Sequence, residues 1–150
     1  MTKNYTMTVA VILVCAGSCQ QRDSKQINHE REKLAVAYAF LLGKLGGDNV
    51  SLIASEHDEN LELLNDIIKT NKLDFEVEYY ADIERGPDFC YYSKSTKKQV
   101  TILGVTKRDE RNYYISYYMG PEGGASKEIQ IEERNGQWEV VNDDERWIVK

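Results

Sequence analysis

The hydrophobic period changes once along this chain, and that change limits the fold more than any other feature. Between residues 34 and 68 apolar side chains return every third or fourth position, and from Phe75 onward they return every second one. The first spacing belongs to an amphipathic helix and the second to a half-buried strand. Helices followed by a run of strands predict an α+β domain, with two N-terminal helices packed on one face of a sheet.

The first helix is expected from His29, where Leu34, Ala37, Tyr38, Leu41, Leu42 and Leu45 form one stripe. Asn28 can cap it, Glu30 and Glu32 suit its positive end, and Gly46-Gly47 closes it. Residues 48–54 fit either a connector or the opening of the next helix. Ser55 with Asp58 three residues on forms a capping-box-like pair. Leu61, Leu64 and Ile68 then line a second helix, widened by Leu63 and Ile67.

In the segment FEVEYYADI, Phe75, Val77 and Tyr79 alternate with Glu76, Glu78 and Tyr80, which predicts one strand. Gly86-Pro87-Asp88 reads as a turn before a short strand over residues 89–92. QVTILGVT and NYYISYYM are two more strands around the charged turn KRDER. The glycines of MGPEGGAS join strands, with room for a binding loop. Asn135-Gly136 is a two-residue hairpin turn. It pairs Arg134 with Gln137, Ile131 with Val140 and Glu132 with Glu139, placing Ile129, Ile131, Trp138 and Val140 on one face. The sum is a roughly five-stranded antiparallel meander. This element order is similar to cystatin-like and nuclear-transport-factor-2-like rolls, in which a curved sheet wraps an N-terminal helix.

Ahead of the domain, Met7 to Ser18 is apolar or small and follows a segment whose charged residue is Lys3. Twelve residues are too few for a membrane span, which needs about 20, and match the core of a secretory signal. Ala16, Gly17 and Ser18 stand directly before Cys19. That arrangement resembles the lipobox of bacterial lipoproteins, although Ala16 stands where the family more often has Leu. The resemblance implies cleavage before Cys19, acylation of that cysteine and anchoring in the bilayer. An ordinary cleaved signal and an uncleaved anchor are the alternatives. Cys15 would leave with the signal (residues 1–18) and Cys90 would be a lone thiol; without the lipid, Cys19 and Cys90 are free to pair. Residues 19–28 are polar and read as a tether, whose nine residues after Cys19 span roughly 30 Å when extended. Residues 29–150 make one domain. Gln20 is not the Asp that favours inner-membrane retention in some lipoproteins, so the outer membrane is the expected location within the cell envelope.

Loss of residues 1–18 would remove one basic residue, Lys3, and no acidic one, moving the net charge from −6 to −7. Such a balance argues against nucleic acid. It suits either a cationic partner or plain solubility.

Catalytic constellations are hard to assemble. His57 lies between Glu56 and Asp58, but sequence neighbours on a helix do not face each other, so no metal site is expected. His29 sits in the first turn of a helix, and Cys90 in a strand reads as a small buried hydrophobe. No cofactor is implied. Eight of the ten tyrosines fall between residues 79 and 118, as four adjacent pairs. Alternation sends one ring of each pair to each face. With Tyr79 and Tyr117 toward the helices, Tyr80, Tyr114 and Tyr118 line the opposite face, where phenols can stack a sugar or grip a protein. The expected function is a non-catalytic envelope lipoprotein that binds a protein, peptide or glycan, an inhibitor or immunity protein being one version. The alternative is a small enzyme or ligand carrier with a pocket between helices and sheet, using Asp82, Glu84 or Asp88 as base and a tyrosine as donor.

Overall fold

The computed structural model describes residues 23–46, 50–142 and 147–149. Helix α1 (Asp23–Leu45) is followed by strand β1 (Leu52–Ser55), a 3₁₀ turn (Asp58–Asn60) and helix α2 (Leu61–Asn71). Strands β2 (Glu76–Val77), β3 (Ile83–Arg85), β4 (Tyr91–Ser93), β5 (Gln99–Lys107), β6 (Asn112–Gly120), β7 (Gly123–Arg134), β8 (Gln137–Val140) and β9 (Ile148–Val149) follow. The α+β class holds. Among the described residues the sheet is mixed and has nine strands, in place of the expected antiparallel five.

A strand between the two helices accounts for most of that difference. β1 pairs in parallel with β2 on one side and β5 on the other. Its four residues are all buried, because Ile53 and Ser55 face the helices while Leu52 and Ala54 face away. A strand buried on both sides shows no alternation, so its period carries no signal. The main path runs β2-β1-β5-β6-β7-β8. It forks twice: β5 pairs first with β4 and then with β1, and β7 pairs first with β9 and then with β8.

The curled sheet wraps α1. Ala37, Tyr38 and Ala39 are consecutive, so their side chains point about 100° apart, yet none is more than 2% exposed. The helix is therefore covered on several sides, by α2 and by β5, β6, β7 and β8. It also starts at Asp23, six residues before His29. The capping pair expected at Ser55 does not form. Ser55 ends β1, and its Oγ accepts the His57 N–H (3.1 Å) and shares a proton with Tyr38 Oη (2.8 Å), which also receives Asn60 Nδ2 (3.1 Å). Burial, foremost, holds the Tyr38 phenol above its ordinary value. α2 ends without glycine. Lys72 takes the left-handed conformation, and Leu73 N–H reaches back to Ile68 O (3.0 Å), which closes a Schellman motif.

The expected strand over FEVEYYADI breaks in two. Asp58 Oδ1 accepts the Tyr80 N–H (2.8 Å), and Asp82 N–H returns to Tyr79 O (2.9 Å), so a 3₁₀ turn replaces the extended chain. Tyr79 consequently points to solvent, not to the helices. The MGPEGGAS segment is a tight turn and not a long loop, since β6 runs to Gly120 and β7 resumes at Gly123. The last hairpin has the expected register throughout. Glu132 and Glu139 do lie opposite each other, and each has its own arginine, Arg111 (3.3 Å) and Arg134 (3.4 Å).

Candidate functional site

The sheet has two faces and the helices cover one. On that face Tyr113 and Tyr117 of β6 point inward, with Ile115 between them. On the other face Tyr114, Ser116 and Tyr118 follow in sequence, aligned through the register with Thr106, Gly104 and Ile102 of β5 and with Glu128, Ser126 and Gly124 of β7. The placement expected for Tyr114 and Tyr118 is thus observed.

One end of this second face is roofed by the β3–β4 hairpin. Leu52, Ala54, Ile83, Val100 and Ile102 form a smaller core there, with Tyr91 and Tyr118 packed against it. The two rings meet edge to face, their centroids 5.7 Å apart at 78°. Tyr118 Oη donates to Phe89 O (2.9 Å), and Phe89 itself holds a positive φ of 64°. Tyr80, although it left the strand, returns to this group through its turn. Burial, then the neighbouring Tyr91 hydroxyl and the Glu56 carboxylate, push the Tyr80 phenol above its ordinary value. Tyr80, Tyr91 and Tyr118 therefore come together. Tyr114 does not join them and lies under the Arg108 guanidinium (5.9 Å to the ring centroid) at the other end of the strand.

Beside the three rings, carboxylates are held in place. A methyl group on Gly104 would stand 2.6 Å from Ser116 Oγ and 3.0 Å from Glu56 Oε2, so the glycine is what lets both side chains lie over the sheet. Asp58 is fixed by the Tyr80 N–H. The result is a half-exposed aromatic platform with two carboxylates on its rim. Tyr91, Glu56, Asp58 and Gly104 were not singled out for this site by sequence. The paired tyrosines were the available signal for Tyr91, whereas nothing local marks the others. Ser126 Oγ, in line with Ser116, is buried and has no hydrogen-bond partner among the described residues.

The carboxylates considered for catalysis are placed otherwise. Asp82, Glu84 and Asp88 are all exposed. Hydrogen bonding to Lys97 holds the Glu84 carboxyl below its usual range, and bonding from Tyr92 does the same for Asp88. A general base in apolar surroundings would be shifted the other way. The space between helices and sheet is packed by the main core. At the rim of that core, a concavity of about 330 Å³ opens where α1 and the start of α2 meet the β5–β6 end of the sheet, lined by Ile27, Glu30, Leu34, Leu63, Lys107 and Tyr113 among others. Its charges are largely paired: Lys107 Nζ meets Glu30 Oε2 at 3.0 Å and Glu110 Oε1 at 3.1 Å.

Cys90 precedes β4 and is half-buried, with its Sγ against Gly120. Burial, then Asp88, raise its thiol above the ordinary value, which disfavours a nucleophilic thiolate. His57 is exposed, and among the described residues no three His, Cys, Asp or Glu side chains gather as metal ligands would. Cys19 and the signal-like segment before it lie outside the described residues. Comparison with family models, curated proteins and solved structures found no match to the chain.

Proposed function

We propose that this chain is a lipid-anchored envelope protein whose helix-free sheet face binds a cationic peptide or protein. The observation that carries the reading is the grouping of Tyr80, Tyr91 and Tyr118 beside Glu56 and Asp58. Aromatic faces attract ammonium and guanidinium groups, and the carboxylates add charge of the right sign to a chain already at −6. Of protein, peptide and glycan, the first two fit this rim best. The anchor is supported by the small residues before Cys19. Among the described residues no helix is long and apolar enough to cross a membrane, which is compatible with an acyl anchor.

The test is fluorescence anisotropy with labelled arginine-rich and lysine-rich peptides that also carry aromatic residues. Tyr80→Ala and Glu56→Gln should each weaken binding about fivefold, or about 1 kcal/mol, and added salt should weaken it further. Tyr114→Ala, on the same face but away from the cluster, should leave affinity unchanged. Equal affinity for all three variants would refute the assignment. Intact mass of the native product tests the anchor separately, and an unmodified Cys19 thiol would remove it.

A further inference from the structure

The end of α1 that leads to Cys19 and the tyrosine cluster lie at opposite ends of the domain. α1 meets the β5–β6 hairpin in its second and third turns: Glu30 bonds Lys107, Tyr113 Oη reaches Glu30 (3.4 Å), and Lys33 Nζ donates to Glu110 O (3.0 Å). Further along, Phe40 lies against Lys127, which pairs with Ile115. The helix thus runs from the hairpin toward the middle of β6. Tyr91 is paired with Val100 at the other end of β5, seven residues from Lys107 and about 23 Å away at 3.3 Å per residue.

Resting on the anchored reading above, we infer that the β5–β6 hairpin (residues 107–112) and the first turns of α1 face the bilayer, and that the tyrosine platform faces away from it. Three residues separate Cys19 from Asp23, and the four Cα steps between them span at most about 14 Å. That is half the reach of the tether expected from sequence, because residues 23–28 are helical. Seven further residues of rigid helix, about 10 Å, lead to Glu30 and the hairpin. Residues 24–27 are exposed, and Ile27 is 67% exposed. The opening of α1 therefore acts as a short stalk, not a leash. It keeps Arg108 and Arg111 near the headgroups and presents Tyr80, Tyr91 and Tyr118 up to about 23 Å farther out along β5. The partner that suits such a platform is one free in the aqueous compartment.

The experiment uses the acylated chain on vesicles of phosphatidylethanolamine and phosphatidylglycerol containing a headgroup nitroxide lipid. A fluorophore is placed by Arg108→Cys or by Thr96→Cys in the β4–β5 turn, each in a Cys90→Ser background. With the length of β5, about 26 Å, between the two sites, the Arg108 probe should be quenched about threefold more strongly. Equal quenching, or stronger quenching at Thr96, in a preparation whose mass shows acylated Cys19 overturns the orientation and leaves the anchor standing. A mass showing no acylation overturns both.

Discussion

Tyr38→Phe removes one oxygen atom from the centre of the molecule, and its cost follows from the partners that oxygen serves. Tyr38 and Ser55 are both 0% exposed, and the hydroxyl ties α1 to β1 and to the entry of α2 through Ser55 Oγ and Asn60 Nδ2. Asn60 is half-buried and can turn to water, so its loss is that of an ordinary hydrogen bond. Ser55 has no such outlet and keeps only the His57 N–H. One ordinary bond and one buried hydroxyl left short of a partner together come to about 2 kcal/mol. With a urea slope of about 1–3 kcal/mol per molar, the midpoint should fall by about 1 M with the slope unchanged. Ser55→Ala should cost a similar amount, and the double variant less than the sum, since both changes break the same bond. A loss below about 0.5 kcal/mol for Tyr38→Phe, or strict additivity, would refute the view that this network holds β1 between the helices.

Other expectations concern charge, an orphan hydroxyl and a strained turn. Burial alone would raise the Glu30 carboxyl, but Lys107 and Lys33 outweigh it and hold the group below its ordinary value. A depressed carboxylate contributes stability that is present above its unfolded value and lost as pH falls through its folded one. Lys107→Met should therefore lower stability at pH 7, and the gap from the parent should close as pH falls through the folded value of Glu30; a gap that persists in acid denaturation curves would sink the ion pair. Ser126→Ala should be neutral or stabilising by up to about 1 kcal/mol in the same urea assay, because it removes a buried hydroxyl with no partner among the described residues. A clear loss would mean that the hydroxyl is used. Gly120→Ala should destabilise by about 2 kcal/mol, since Gly120 holds φ +133° and a methyl group there would stand 2.6 Å from Cys90 Sγ. Adding Cys90→Ala should recover the steric part alone, which thermal melts can separate.

The elements legible in the sequence are those whose determinants are close neighbours in the chain. Asn135-Gly136 selects its own turn and so specifies every pair of the β7–β8 hairpin. Strict alternation over nine residues placed Tyr113 and Tyr117 against the helices and Tyr114 and Tyr118 away from them. Where partners are distant, local pattern was silent or wrong. Residues 48–54 fit either a connector or a helix opening, and Ser55 a cap, because burial on both faces erases the period, and only its parallel neighbours make Leu52–Ser55 a strand. The run from Phe75 alternates well, yet Asp58, twenty-two residues before Tyr80, takes its N–H and breaks the strand.

The candidate site shows the same division. The chain's tyrosine pairs were visible in sequence, but which rings meet was decided by a turn at Tyr80, a hairpin carrying Tyr91 and the far end of β6. Sequence alone determined the helical and extended periods, the last hairpin's register and the small residues that precede Cys19. Tertiary structure decided that a strand lies between the helices, that residues 23–28 are helix, and that Glu56 lies over Gly104 beside three phenols. The reason is range: propensity and period act over a few residues, whereas burial on two faces and the convergence of side chains depend on segments brought together only by folding.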